Sequence, residues 1–163
     1  MRVDGVNTMR MSEFVIREAI SANLTAGQKE GVIREMVENL RLAGYFKGNE
    51  SDDVVKAILK RELLSSTGIG EGVAIPHAKH SSVDRLVGAV ALAPGGVPFD
   101  SVDREPVYVL VMLISPQERP SEHLRALEGV SRCLKDKAFV RSLRDATTPQ
   151  QVWDLICNHD RGT

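Results

Sequence analysis

Val107-Tyr108-Val109-Leu110-Val111-Met112-Leu113-Ile114 is apolar almost throughout, and it is the longest such run in the chain. It has the length of a strand and falls far short of the roughly 20 residues that span a bilayer. A strand with one wet face alternates apolar and polar residues. This one does not, so it reads as a strand covered on both faces. Leu86-Val87-Gly88-Ala89-Val90-Ala91-Leu92 has the same character, and Val73-Ala74-Ile75 reads as a third, shorter strand. Two strands covered on both faces require helices on both sides of one sheet.

Helical periodicity flanks this central region. Val32, Ile33, Met36, Val37 and Leu40 form one apolar stripe. Thr25 and Gln28 ahead of it have the spacing of a capping box, and Gly44 can end the helix. Ser51 reads as the cap of a second helix that buries Val54, Val55, Ile58, Leu59 and Leu63. After the strands, Leu124, Leu127, Val130 and Leu134 recur at helical spacing within Ser121–Leu134, and Lys137–Ala146 follows. Thr148-Pro149-Gln150-Gln151 combines a capping box with proline at the first helical position, opening a last helix through Trp153, Leu155 and Ile156. Helices, sheet, then helices predict an α/β fold, a three-layer sandwich of helices around a mixed β-sheet. Residues 1–12 read as a polar lead-in with three candidate starts (Met1, Met9, Met11), 13–159 as a single domain and 160–163 as a tail.

The 163 residues suffice for one domain with a real core. Composition is 42% hydrophobic and 26% charged, and the formal net charge is −1. No global field recruits nucleic acid or an anionic membrane. The opening MRVDGVNTMRMSEF has no long apolar block, so neither a signal peptide nor membrane insertion is expected. Cys133 and Cys157 are far apart and lack a CxxC spacing. They read as buried thiols of a reduced, cytoplasmic chain.

Four histidines are present, and two sit where chemistry could use them. His77 follows Val73-Ala74-Ile75-Pro76. The proline is expected to stop strand pairing and turn the chain outward, delivering His77 to a strand end. By local context a site residue and an inert loop histidine are both open. His123 falls in the first turn after Pro120-Ser121. There a neutral imidazole can donate to a bound anion, and a solvated first-turn histidine is the plain alternative. His80 and His159 read as surface residues. Arg61, near a helix end, means nothing alone. Ser65-Ser66-Thr67-Gly68-Ile69-Gly70-Glu71-Gly72 could cradle an anion, but no GK[ST] follows and no helix-opening GxGxxG is formed. His77-Ala78-Lys79-His80 offers HxxH, but Lys79 puts a positive charge inside it and no acidic residue or cysteine completes a ligand set, so no metal is expected. A hydrolase reading lacks both GxSxG and a Cys–His pair.

Taken together, Arg61-Glu62, Ser66-Thr67-Gly68-Ile69-Gly70, Ala74-Ile75-Pro76-His77-Ala78-Lys79 and His123-Leu124-Arg125-Ala126-Leu127 resemble one family. It is the EIIA domain of the fructose/mannitol class of the bacterial phosphotransferase system, and within it the stand-alone nitrogen-regulatory members are the most similar. The resemblance runs from about Phe14 to Ile156. It includes Pro98-Phe99-Asp100, Glu105-Pro106-Val107 and the Ser115-Pro116 turn.

This resemblance implies a mannitol-EIIA-like fold and a phosphoryl carrier needing no cofactor. His77 matches the phosphorylated histidine, with Nε2 as its reactive nitrogen and Nδ1 held by an acceptor. His123 matches the second active-site histidine, Arg61 the arginine that binds the transferred group, and Thr67 the Ser-Thr element beside it. Ala78 departs from a glycine common in regulatory members, a small-for-small change. The implied donor is a histidine phosphocarrier protein (HPr-like). The implied recipient is either an EIIB-like cysteine carrier of sugar uptake or a regulatory target. A relative of the same fold that only binds is the third reading, disfavoured because Arg61, His77 and His123 are all present.

Overall fold

The computed structural model describes residues 9–162. Its centre is β5 (Val107–Ser115), the strand of the long apolar run. β4 (Val87–Val97) lies antiparallel on one edge, with Val87 opposite Ile114 and Leu92 opposite Val109. On the other edge β2 (Val73–Ala74) and β3 (His77–Lys79) both run parallel to β5. Val73 pairs with Val109 and His77 with Leu113, so β2 and β3 hold one register across the break at Ile75-Pro76. β1 (Gly68–Gly70) pairs antiparallel with β2.

The free side of β4 is covered by the chain's own start. After α1 (Met11–Phe14), Ile16, Ser21 and Leu24 donate their N–H groups to carbonyls of Gly88, Val90 and Leu92. A short 3-10 turn, Arg17–Ala19, lies between them. Gly88 makes this approach possible: a Cβ there would lie 3.0 Å from the Phe14 ring. An edge strand covered in this way offers no template for aggregation.

Side chains of β5 divide between two cores, as the missing alternation requires. Leu110, Met112 and Ile114 pack with α2 (Lys29–Leu42) and α3 (Glu50–Leu64). Val109, Val111 and Leu113 pack with α1, α4 (Pro120–Leu134), α5 (Lys137–Asp145) and α6 (Pro149–Arg161). All six are fully buried, so truncating Leu110, Met112, Leu113 or Ile114 to alanine is expected to cost about 2–5 kcal/mol. The three-layer α/β sandwich expected from the sequence is therefore the observed fold. Among the described residues no helix is long and apolar enough to cross a membrane.

Several local expectations need correction. Thr25 caps nothing: its N–H and hydroxyl both donate to Glu35, and α2 starts at Lys29 without a side-chain cap. Glu35 sits inside the helix and reaches back to the loop, taking the hydroxyl the capping box would have used. Ser51 is not a cap either. α3 begins one residue earlier, and the Ser51 Oγ is buried without a partner. The inward stripe of α3 is Val54, Ile58 and Glu62, while Leu63 is 86% exposed. A buried carboxylate holds the position because Thr67 and Lys29 satisfy it. In α4 the inward face contains His123 and Ala126, and Leu124 is left 60% exposed. The capping box of α6 forms as read, with Thr148 accepting from Gln151 N–H. His159 is packed rather than superficial, its ring 4.2 Å from that of Phe139. Met11 and Asp160 are both buried, and Asp160 accepts from Ser12 N–H, so packing reaches into the segments read as lead-in and tail. Both cysteines are half-buried free thiols, and burial pushes Cys133 up to about 11.

Candidate functional site

Pro76 does not end the strand pairing, as the sequence had suggested. The chain passes at Pro76 from β2, which lies between β1 and β5, into β3, an edge strand where a missing N–H is tolerated. The Pro76 carbonyl still accepts from Leu113 N–H at 2.9 Å, and His77 re-enters the ladder opposite Leu113. His77 is therefore held by a strand rather than offered on a turn. Period-two alternation sets His77 and Lys79 on one face and turns Ala78 into the core against α2 and α3. By the same rule His80 turns away from His77. Its Nδ1 instead meets Ser82, which removes the geometric basis of the HxxH pairing.

The half-buried His77 ring is fixed by its own backbone. Its Nδ1 lies 2.7 Å from the carbonyl oxygen of Ile75. A carbonyl only accepts, so Nδ1 carries the proton and Nε2 keeps a lone pair. Burial lowers the His77 pKa. The Ile75 bond works against that shift, and the nearby charges of Arg61 and Lys79 add to it. The ring is thus neutral at pH 7, the form in which an imidazole is nucleophilic.

His123 faces it from the first turns of α4. The two ring centroids are 5.4 Å apart, with planes inclined at 52°. His123 is buried, and the hydroxyl of Ser115, at the end of β5, engages its Nδ1. This leaves Nε2 as the ring nitrogen toward the depression that both histidines line. Burial first, then the proximity of His77 and Lys79, lowers the His123 pKa to about 4.

Arg61 completes the third wall from α3, with Nη1 donating to the carbonyl of Ser65 at 3.0 Å. Lys60, Leu64, Lys79 and Leu127 line the same depression, an apolar rim around three cations and two neutral imidazoles. Such a cup suits a small, compact anion.

Thr67 stands apart from that cup. It is 4% exposed, and its hydroxyl and N–H both donate to Glu62. Glu62 also receives Lys29 Nζ at 3.1 Å, and Lys29 reaches Asp100 at 3.3 Å. The Thr67 carbonyl accepts from Ile75 N–H at 3.0 Å. Thr67 thereby supports the peptide that holds His77. The structure thus brings together Arg61, His77 and His123 and sets Thr67 behind them. Ser115, Glu62 and Lys79 were given no role from the sequence. Only Lys79 carried a usable signal, two residues from His77 on what proves to be a strand.

Known proteins share this arrangement of elements. A crystal structure of nitrogen regulatory protein IIA-Ntr from Neisseria meningitidis superposes with a TM-score of 0.80 at 28% identity, covering 90% of this chain and 98% of that one. The nitrogen regulatory protein of Escherichia coli K12 is 32% identical over 150 residues, 91% of this chain and 90% of its own. The fructose-specific EIIABC component of Bacillus subtilis is 37% identical over 153 residues, and this chain spans 24% of that protein. The family described as phosphoenolpyruvate-dependent sugar phosphotransferase system, EIIA 2, matches residues 13–159. With a match over nearly its whole length and the same fold, the chain belongs to the EIIA 2 family of the phosphoenolpyruvate-dependent sugar phosphotransferase system.

Proposed function

We propose that the chain is a cytoplasmic phosphoryl carrier that accepts a phosphoryl group on Nε2 of His77, with residues 13–159 as the carrier unit. The donor is a histidine phosphocarrier protein. The observation that carries this reading is the 2.7 Å contact between His77 Nδ1 and Ile75 O, which leaves the Nε2 lone pair at a cup lined by Arg61, Lys79 and His123. In transfer, the P–N bond of the donor's phosphohistidine breaks and its electron pair returns to the donor ring. The Nε2 lone pair of His77 forms the new P–N bond, and the proton on Nδ1 stays in place. One phosphohistidine replaces another, so the step is close to thermoneutral and reversible.

The work left for the protein is positioning and charge. Arg61 offers a planar fork to the equatorial oxygens, Lys79 adds a point charge, and His123 Nε2 supplies a donor hydrogen bond when Ser115 holds its Nδ1. Thr67 acts from behind by fixing the Ile75 peptide. The apolar rim of Leu64 and Leu127 suits a protein donor, whose docking would exclude water from the reacting oxygens.

Onward delivery has two supported routes. Nitrogen regulatory relatives, matched along almost their full length, support a regulatory role in which the charge at His77 alters binding to a target. A relative named as an EIIABC component supports sugar uptake, with an EIIB-like cysteine carrier as recipient. We favour the regulatory role. The test is capture of partners from source cells with wild type, His77→Ala and His77→Asp. Recovery of a target that prefers one charge state supports regulation. Recovery only of a cysteine carrier, indifferent to that charge, supports uptake.

A further inference from the structure

A second cavity opens at the other end of the sheet, about 700 Å3 in volume. That is within the roughly 300–1,000 Å3 typical of small-molecule sites. It is lined by Val73 and Tyr108, four and five residues back from His77 and Leu113 along their strands. At about 3.3 Å per residue the two sites are roughly 15 Å apart. Ile69 and Pro94, both exposed, give it an apolar lining, with Val140 at its edge and the buried Val73 and Leu92 beneath.

Its rim has the opposite character. Lys137, Arg141 and Arg144 recur at helical spacing along α5 and line the cavity, joined by Lys135. Among the described residues none of the four has a carboxylate within ion-pair distance. Only Glu71 and Asp145 oppose them on the lining. Like charges one turn apart repel, and a bound anion would relieve that repulsion. One of these cations is fixed in place: the Arg144 guanidinium lies 3.8 Å from the centroid of the Tyr108 ring. That ring is itself wedged. A Cβ on Gly72 or Gly96 would meet it at 3.3 and 3.1 Å, and both glycines have positive φ. Gly72, Gly96, Tyr108 and Arg144 thus form a rigid corner that presents guanidinium N–H groups beside an apolar surface.

We propose that this cavity binds a nucleoside phosphate, with its phosphates on Arg141, Arg144 and Lys137 and its flat base against Ile69, Pro94 and the edge of Val140. An inorganic anion would leave the apolar lining wet, and an uncharged apolar ligand would leave the cation stripe unanswered. A ligand with a multiply charged end and a flat apolar body satisfies both. The site shares no lining residue with the depression around His77. Its occupancy is therefore independent of the phosphoryl-carrier reading.

The test is titration of the full chain with ATP, tripolyphosphate and adenosine, followed by calorimetry and by amide NMR shifts. ATP should bind saturably, shift amides around Tyr108 and α5, and bind more tightly than either fragment. The double variant Arg141→Gln/Arg144→Gln changes two exposed side chains and should stay folded, its melting temperature lowered by no more than the single variant Arg144→Gln lowers it through loss of the contact with Tyr108. It should lose at least roughly tenfold in ATP affinity, the least expected from removing two charge-assisted contacts. Absence of saturable ATP binding, or binding undiminished in that variant, would overturn the proposal. So would shifts centred on His77 and His123, or tripolyphosphate binding as tightly as ATP.

Discussion

His77 Nδ1 donates to the carbonyl of Ile75, two residues back in the link between β2 and β3, at 2.7 Å. This contact dictates a regiochemistry. Phosphorylated protein should carry its phosphoryl group on Nε2, as read from phosphorus–nitrogen couplings in 15N-histidine-labelled protein. A phosphoryl group on Nδ1 would require the Ile75 bond to break and would refute the tautomer assigned here.

His123 should assist without carrying the group. Replacing it with alanine removes one preorganised donor, and losing such a donor typically costs about 10²–10³ in rate. His123→Ala should therefore accept the group slowly, yet still yield a phosphohistidine at position 77. Mapping of the group to position 123 in the wild type would reverse the roles.

The depressed pKa values make a signed prediction. His123 titrates at about 4 when folded, below its ordinary value near 6.5. Between those values the unfolded chain binds the proton and the folded chain does not, so stability rises with pH across that window. The lowered His77 pKa acts in the same sense. Urea unfolding from pH 7 down to pH 4 should show stability falling, with on the order of 3 kcal/mol of the loss belonging to His123. His123→Asn should be flatter over the same range. An equally steep variant would show that His123 is not held neutral by the fold.

Much of this fold was legible in the chain, and the misses share a cause. The run Val107–Ile114 lacks alternation because both its faces are buried, and that one fact fixed the helix–sheet–helix layering. Strands β1 and β3 are three residues each, too short to show any period, so His77 read as a residue delivered to a strand end and β3 itself was missed. The burial of Glu62 and His123 was missed for another reason. Each occupies an inward position that the apolar pattern assigned to a neighbour, Leu63 or Leu124. The distant groups that permit such polar burial, Thr67 with Lys29 for Glu62 and Ser115 for His123, cannot be paired from spacing alone.

Thr67 should matter through Glu62 and Ile75 rather than by touching the transferred group. Thr67→Val keeps the shape but withdraws the hydroxyl from a buried carboxylate, at an expected cost of about 1–3 kcal/mol in stability. Transfer should slow less than in Arg61→Lys, which loses the planar fork while keeping the charge. Thermal unfolding and transfer rates of the two variants, measured side by side, check this ordering. Thr67→Val with intact stability and the larger loss of rate would instead place Thr67 at the phosphoryl group.

The central claim is that His77 is the acceptor. Wild type and His77→Ala should be incubated with phosphoenolpyruvate, the system's first enzyme and the histidine phosphocarrier protein, and then weighed intact by mass spectrometry. The account predicts that wild type gains the mass of one acid-labile phosphoryl group and that His77→Ala gains none. A variant labelled as fully as wild type would contradict it.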